Sequence, residues 1–276
     1  MTEAPKPQIA ELTPPARPKP PRVIALANQK GGVGKTTTAI NLATALAAIR
    51  QRVLIVDLDP QGNASTGIGI PKAKRAVNSY HVLIQQTPLR DAIQPTEIPG
   101  LDIVPSGIDL SGAELELVDM ARREYRLKET IALGTAGYDY VFIDCPPALG
   151  LLTVNALAAA DAVLVPLQCE FFALEGVSHL VHTIERVKKT INPALEIQGI
   201  VLTMFDKRNN LSDSVANDVR GHFGEKVYKT VIPRNVKVSE APSYGRPVIV
   251  YDLACAGSRA YLHLASEVIH QERLSA

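Results

Sequence analysis

The feature that most constrains the fold is a glycine-rich stretch between two apolar segments. Residues 23–27 are apolar and rich in β-branched side chains, and residues 37–48 are alanine-rich with leucines at helical spacing. Between them runs Lys30-Gly31-Gly32-Val33-Gly34-Lys35-Thr36. This order predicts a strand, a tight loop and a helix. Because the first N–H groups of a helix lack partners and carry the positive end of its dipole, we expect the loop to bind an anion.

The loop follows the phosphate-binding pattern G-x-x-x-x-G-K-[ST], except that Gln29 stands where the first glycine is expected. Backbone N–H groups around Gly32 and Gly34 can close on phosphate oxygens, and Lys35 can reach the β and γ phosphates. Lys30 is an additional cation. It either adds charge at its own phosphate or reaches the nucleotide of a second subunit, as an arginine finger does. The alternative is a glycine-rich turn with two solvated lysines.

Acidic residues follow two further apolar runs. The run 53–56 leads into Asp57-Leu58-Asp59, and Pro60 and Gly62 end that strand. We assign Asp59 to orienting or deprotonating the attacking water and Asp57 to supporting Mg²⁺ and Lys35. A capped turn is the alternative interpretation of this segment.

The run 140–143 ends in Asp144, which is the Walker B arrangement. Asp144 would hold Mg²⁺ from the side opposite Thr36, directly or through water. The predicted metal-binding residues are therefore Thr36, Asp59 and Asp144.

Strand-like and helix-like segments alternate after residue 21. Further strands are predicted at 101–104, 162–165, 197–203 and 227–232, and helices at 113–123, 151–159, 173–190 and 211–223. Near-continuously apolar strands are typical of a parallel sheet covered on both faces. We predict an α/β fold, a single-domain, doubly wound, mostly parallel sheet over 22–276, with its site at the carboxyl ends of the strands. Residues 1–21 hold seven prolines and are predicted to form a disordered arm.

Composition restricts the setting more than the function. The formal net charge is +1, so any basic surface must be local, and the three cysteines form no C-x-x-C pair that would indicate zinc or a disulfide framework. No run of about 18 apolar residues and no signal-peptide core is visible, so we expect a soluble, cytoplasmic protein.

Basic residues outnumber acidic ones in the C-terminal third. A subset on one face would bind DNA phosphates without reading sequence, whereas the alternative is an ordinary solvated surface. The candidates are Arg208, Arg220, Lys226, Arg234, Lys237 and Arg246.

Taken together, the motifs resemble those of the ParA/Soj-type partitioning ATPases, within the deviant Walker A (MinD/ParA) superfamily of P-loop proteins. The resemblance covers almost everything after the arm. The matching stretches are 27–37, 57–63, Asp144-Cys145-Pro146-Pro147, Leu174-Glu175-Gly176, and 232–235 followed by 239–243.

This resemblance implies an ATPase that needs ATP and Mg²⁺ and forms an ATP-sandwich homodimer. Lys30 would reach the partner's nucleotide, Lys35 would serve its own, and Asp59 would be needed for hydrolysis. The ATP-bound dimer would bind double-stranded DNA nonspecifically and associate with the nucleoid. A ParB-type centromere-binding protein would stimulate hydrolysis and release it.

The resemblance also assigns residues outside the phosphate loop. Arg208 and Lys237 would touch DNA, and the loop with Pro233 and Asn235 would lie near the adenine. The residues we assign to the nucleotide are Lys30, Gly31, Gly32, Val33, Gly34, Lys35, Thr36, Thr37, Asp57, Asp144, Met204, Pro233 and Asn235.

Four alternatives share the phosphate loop. A reductase-like iron–sulfur ATPase would need paired cysteines that bridge the dimer, and Cys145 has no obvious companion at suitable spacing. A MinD-like membrane-cycling ATPase would carry a basic amphipathic C-terminal helix, whereas residues 266–276 have balanced charge, so we expect no stable membrane attachment. An ATPase that positions a protein cargo would share every motif and stays open. A nucleotide-gated scaffold with negligible hydrolysis is disfavoured, because a scaffold has no need of Asp59.

Overall fold

A computed structural model describes residues 20–275, with side chains to Arg273. The predicted N-terminal arm lies outside the described residues apart from its last two prolines. The described chain contains an eight-stranded sheet. Its strands are β1 Arg22–Leu26, β2 Val53–Asp57, β3 Gln94–Pro95, β4 Leu101–Val104, β5 Tyr140–Asp144, β6 Ala162–Gln168, β7 Glu196–Phe205 and β8 Val227–Pro233.

The strand order is β3-β4-β2-β5-β1-β6-β7-β8, and every neighbouring pair is parallel except β3 with β4. This confirms the predicted doubly wound, mostly parallel α/β architecture. All the predicted strands are present, and most continue one to three residues past their predicted ends. The antiparallel edge strand β3 was not predicted, since a two-residue strand carries no periodic signal.

Helices connect the strands and cover the sheet. They are α1 Lys35–Ala48, α2 Asn63–Gly67, α3 Ser79–Leu83, α4 Leu89–Ala92, α5 Ala113–Val118, α6 Arg126–Gly134, α7 Leu151–Ala159, α8 Ala173–Thr190, α9 Asn210–Phe223, α10 Val236–Glu240, α11 Val248–Tyr251 and α12 Ala256–Ser275. The helices predicted at 151–159 and 173–190 are confirmed to the residue. No helix of the described residues is long and apolar enough to cross a membrane.

The helix predicted over 113–123 is wrong in its second half. Helix α5 ends at Val118, and Arg122 has a φ of 53°, in the left-handed region that a right-handed helix cannot contain. The Arg123 guanidinium donates a hydrogen bond of 2.6 Å to the Val118 carbonyl. A side chain thus satisfies a terminal carbonyl that the next helical turn would otherwise have bonded.

Alternate residues of the central strands face two separate hydrophobic clusters. On β5, Val141 and Ile143 pack in a cluster with residues of α5 to α9, whereas Phe142 packs in one with residues of α1, α11 and α12. Because successive strand side chains point to opposite faces, both faces of an apolar strand need cover. The sheet is therefore the buried middle layer of the fold, and its strand ends are left to form a site.

The strand register places Asp57 and Asp144 opposite each other on neighbouring strands. Strand β5 lies between β1 and β2, with Asp144 opposite Leu26 on one side and opposite Asp57 on the other. The chain leaves β1 at Leu26 and enters the glycine-rich loop. The loop, Asp57 and Asp144 therefore meet at the carboxyl edge of the sheet, as predicted for this architecture.

Candidate nucleotide site

Two glycines shape the loop after β1. Gly32 and Gly34 have φ of 74° and 89°, a left-handed conformation that strains other residues. Gly34 is the N-cap of α1, which begins at Lys35, two residues earlier than predicted. A Cβ added at Gly32 would meet no atom within 4 Å, so its backbone faces open space. The first free N–H groups of α1 thus adjoin an open cradle, which is the arrangement that binds phosphate.

Side chains outside the loop hold it from behind. The side-chain oxygen of Asn28 accepts a hydrogen bond from the Lys30 N–H at 3.0 Å, and its side-chain amide donates one to the Pro166 carbonyl of β6 at 2.8 Å. The Thr203 hydroxyl of β7 donates to the Val33 carbonyl at 2.8 Å. The neighbouring strands β6 and β7 therefore help to fix the loop conformation.

Lys35 is buried beside the acids. Its ammonium donates to the Lys30 carbonyl at 3.1 Å, and only 6% of the residue is exposed. Burial lowers the pKa of Lys35, while the charges of Asp144 and Asp59 act in the opposite direction. A partly desolvated ammonium is a stronger electrostatic partner for phosphate than a solvated one.

Asp57 and Asp59 belong to one hydrogen-bonded turn. Asp57 accepts from the Ser65 N–H at 2.8 Å, from the Ser65 hydroxyl at 2.6 Å and from the Asp59 N–H at 3.3 Å. Asp59 accepts from the Gln61 N–H at 3.0 Å. Burial raises the pKa of Asp57 to about 6 against the lowering effect of the Ser65 hydrogen bonds. Asp57 therefore orders the turn that presents Asp59, and its role around Mg²⁺ and Lys35 stays a prediction.

Asp144 is fully buried, and neither of its carboxylate oxygens has a hydrogen-bond partner within the described structure. Burial raises its pKa well above the ordinary value, and the charge of Asp57 raises it further, while the Thr36 hydroxyl acts in the opposite direction. An unpaired buried carboxylate is costly unless a cation or donor completes it. The donor set Thr36, Asp59 and Asp144 consists of hard oxygens, which suits Mg²⁺.

A cavity of about 370 Å³ opens above these residues. Eight of the predicted site residues line it: Gly31, Gly32, Gly34, Lys35, Thr36, Thr37, Asp59 and Met204. Its other walls are Ile40, Asn41, Gln61, Asn63, Thr66, Gly67, Pro147, Pro242, Arg246 and Pro247. Its size and open cradle fit a nucleotide.

Six residues assigned to the nucleotide do not line this cavity. Val33, Asp57 and Asp144 lie beneath it, buried in the protein. Asn235 is instead the N-cap of α10, where its side chain accepts from the Lys237 N–H at 2.9 Å, and Pro233 is the last residue of β8. Their assignment to the adenine stays a prediction.

Lys30 is the sixth. Its ammonium pairs with the Glu170 carboxylate, just beyond β6, and both side chains are nearly half exposed. Lys30 therefore leaves the cavity of its own chain, unlike Lys35.

Comparisons with known proteins agree with this geometry. A family model described as an AAA domain matches residues 21–197. The chain is 64% identical over 256 residues to the chromosome partitioning protein ParA of Caulobacter vibrioides, covering 92% of this chain and 96% of that protein. It is 52% identical over 247 residues to the sporulation initiation inhibitor protein Soj of Bacillus subtilis, covering 90% and 98%.

The chain belongs to the ParA/Soj family of partitioning ATPases. Among solved structures, it is similar to a cobyrinic acid a,c-diamide synthase from Mycobacterium smegmatis, at 38% identity and a TM-score of 0.81, covering 93% of this chain and 97% of that one. That protein was solved with ADP and magnesium and with an ATP analogue and magnesium. The predicted family, fold and ATPase activity are confirmed.

The structure divides the basic residues of this ParA/Soj-family protein between the two ends of β8. Arg208 follows β7 and pairs with Asp206, whose pKa falls to about 2 through the Arg208 hydrogen bonds, with a smaller contribution from Arg234. Arg234 follows β8, so both arginines lie at the carboxyl edge near Asp206. Arg220 donates at 3.4 Å to the Tyr228 and Lys229 carbonyls, at the start of β8.

Lys226 immediately precedes β8 and shares the far end with Arg220. The seven residues of β8 separate the two ends by about 20 Å, so the six candidates do not form one patch. Lys237 lies on α10, just past Arg234, where its ammonium bonds Glu240 at 3.0 Å and lies 5.6 Å from the Tyr251 ring centre. Arg246 lines the nucleotide cavity, which gives it a second candidate role.

Sequence reasoning missed the residues that hold the site from behind. Asn28, Asn41, Ser65 and Thr203 act through buried hydrogen bonds to backbone or to Asp57. Asn41 also accepts from the Val248 N–H at 2.7 Å, which joins α1 to α11. For Asn41 in α1 and Thr203 in β7, a polar residue inside an apolar element was the available signal, since buried polar groups need partners. Asn28 and Ser65 lie in polar segments that gave no such signal.

Proposed function

We propose that this ATPase dimerises on ATP, binds double-stranded DNA without sequence specificity and thereby segregates DNA. A ParB-type partner stimulates hydrolysis and releases it from the nucleoid. The main support for the proposal is that the two lysines of the phosphate loop lie in different environments. Lys35 is buried beside the cradle of its own chain, whereas Lys30 lies half exposed and outside that cavity.

Nucleotide binding rests on the cradle. Gly31, Gly32 and the residues from Gly34 to Thr37 line the cavity, and the buried Lys35 adds a charge that solvent screens little. Met204, Pro242 and Pro247 add apolar side chains to the cavity lining. These residues suit a ligand with a charged phosphate end and a flat base.

Mg²⁺ fits the acidic end of the cavity. Thr36 and Asp59 line it, and Asp144 lies beneath with two unsatisfied oxygens. When bound, Mg²⁺ would neutralise charge on the phosphates. The carboxylate of Asp59 orients or deprotonates the attacking water. The Asp59 N–H donates a hydrogen bond to Asp57, which fixes its backbone.

Dimerisation would bring Lys30 to a second nucleotide. Released from Glu170, its ammonium would stabilise charge developing on the partner's γ-phosphate, as an arginine finger does. An exposed pair such as Lys30 with Glu170 contributes only about 0–1 kcal/mol, so a triphosphate can compete for the lysine. Hydrolysis would then depend on the dimer.

DNA binding rests on Arg208, Arg234 and Lys237, which lie beyond the carboxyl ends of β7 and β8. Cations at this edge would meet phosphates without reading bases, and a dimer doubles them. The name chromosome partitioning protein, borne by a relative with 64% identity, supports DNA rather than another polyanion as the ligand.

A turnover assay combined with DNA binding tests the proposal. We expect ATP to produce dimers, the dimers to bind unrelated DNA duplexes equally, and Asp59→Ala to retain dimers and DNA binding while losing hydrolysis. Asp119→Ala makes the same side-chain change at an exposed position just after α5 and serves as the control. Monomers with ATP, or dimers indifferent to DNA, would refute the partitioning cycle. ATP-dependent dimers that ignore DNA would favour the protein-cargo alternative.

A further inference from the structure

Arg75 is an unusual buried cation. Only 7% of the residue is exposed, and it lies on the chain between the Asp59 turn and α3. Burial lowers its pKa, and the charge of Asp57 acts in the opposite direction. Because burying an unsatisfied guanidinium is costly, its contacts must compensate for desolvation.

Its five hydrogen bonds all end on uncharged oxygens. Nε and Nη2 donate to the Ile70 carbonyl at 3.1 and 2.6 Å, and Nη2 donates to the Thr66 hydroxyl at 2.8 Å. Nη1 donates to the carbonyls of Gly62 at 3.2 Å and Ser106 at 3.4 Å. The planar guanidinium thus bonds residues before, within and after α2, namely Gly62, Thr66 and Ile70.

That segment contributes part of the cavity lining. Asp59, Gln61, Asn63 and Thr66 line the cavity. The Gly62 N–H bonds the Asp59 carbonyl at 2.9 Å, so Gly62 joins the Asp59 turn to α2. Fixing the Gly62 carbonyl therefore limits where the Asp59 carboxylate can lie.

A second connection runs through Ser106. Its carbonyl accepts from Arg75, and its N–H donates to the Ser65 hydroxyl at 2.9 Å. That hydroxyl donates to Asp57, which holds the Asp59 N–H. The Asp59 turn is thus braced from both ends. A Cβ at Gly62 would lie 2.5 Å from Arg75 Nη1, which shows how closely the two groups pack.

We propose that Arg75 is a positioning residue for ATP hydrolysis, which it serves by fixing the turn that presents Asp59. This inference rests on the proposed role of Asp59. Arg75 does not line the cavity, and phosphate binding is assigned to the loop after β1. Its loss should therefore affect turnover more than nucleotide affinity.

The test compares Arg75→Gln and Arg75→Lys with Arg90→Gln, an exposed arginine on α4, as the control. Single-turnover phosphate release should fall about tenfold or more in Arg75→Gln and less in Arg75→Lys, since small misplacements of reacting groups cost up to about 10²-fold. The Kd for a nonhydrolysable ATP analogue should stay within about threefold. Amide hydrogen exchange should accelerate in peptides covering 59–67 but not in β7.

The outcomes separate this inference from the function on which it rests. If Asp59→Ala loses turnover while both Arg75 variants keep it, the positioning role is refuted and the role of Asp59 stands. If Asp59→Ala keeps turnover, the role of Asp59 in hydrolysis and the positioning role of Arg75 are both refuted. If Arg75→Gln does not fold, Arg75→Lys decides. A loss of affinity equal to the loss of turnover, or faster exchange throughout the protein, would reduce Arg75 to a general structural residue and overturn the proposal.

Discussion

The ammonium group of Lys30 pairs with the carboxylate of Glu170 in the same chain, although the two residues are 140 positions apart. Glu170 lies just beyond β6, the strand to which Asn28 also anchors the loop. The two lysines of the phosphate loop therefore have different partners. Lys35 is directed to the Lys30 carbonyl and the buried acids, and Lys30 is held at the surface.

Replacing Glu170 should favour the ATP-bound dimer, because the dimer would no longer form at the expense of an ion pair. A symmetric dimer would break two such pairs of about 1 kcal/mol each, so we expect Glu170→Gln to lower the dimer dissociation constant up to about thirtyfold. Sedimentation velocity with a nonhydrolysable ATP analogue measures it, with the exposed Glu175→Gln on α8 as the control. A weaker dimer would show that Glu170 acts across the interface instead.

Removing Lys30 should separate binding from dimerisation. Lys30→Ala keeps the cradle and Lys35, so analogue affinity for the monomer should change by no more than about threefold, as expected when an exposed charge is lost. ATP-dependent dimers should disappear from light scattering. Lys207→Ala, on an exposed turn after β7, controls for loss of a surface cation. Persistent dimers in Lys30→Ala would contradict the function in trans.

Protonation of Asp57 should make stability depend on pH. Its pKa is about 6 in the folded protein against 3.8 ordinarily, so the folded state binds the proton more tightly than the unfolded chain. Asp57 should therefore contribute up to about 3 kcal/mol to a decline in wild-type stability as the pH rises from about 4 to about 6, and Asp144, whose pKa is also raised by burial, should add to that decline.

Urea unfolding of the nucleotide-free protein measures this effect. Asp57→Asn should show a smaller decline than wild type over the same interval, whereas the exposed Glu97→Gln should follow wild type. Equal slopes for wild type and Asp57→Asn would exclude Asp57 as the group that titrates.

The two ends of β8 should differ in DNA binding. Arg208→Glu reverses a cation at the carboxyl edge and should weaken binding of a random duplex about tenfold or more, while ATP-dependent dimers persist. Lys226→Glu makes the same charge change at the other end and should have an effect of about twofold at most. Fluorescence anisotropy at several salt concentrations measures both. Equal losses would mean that net charge, rather than this edge, attracts DNA.

The periodic elements were predictable because each depends on local pattern. Strands β2, β4 and β5 are uninterrupted apolar runs, and α7 and α8 follow helical spacing within clear boundaries. The end of α5 was not predictable in this way. It depends on Arg123 reaching the Val118 carbonyl, a contact that periodicity does not encode.

The sequence by itself determined the phosphate loop, the acids at two strand ends and the parallel sheet that joins them, because residue type and spacing fix these features locally. Only the tertiary structure decided that Lys30 pairs with Glu170, that Arg75 braces the Asp59 turn, and that Lys226 lies far from Arg208. These relationships join segments distant in sequence. They arise because buried donors and charges must find partners wherever the packed fold supplies them.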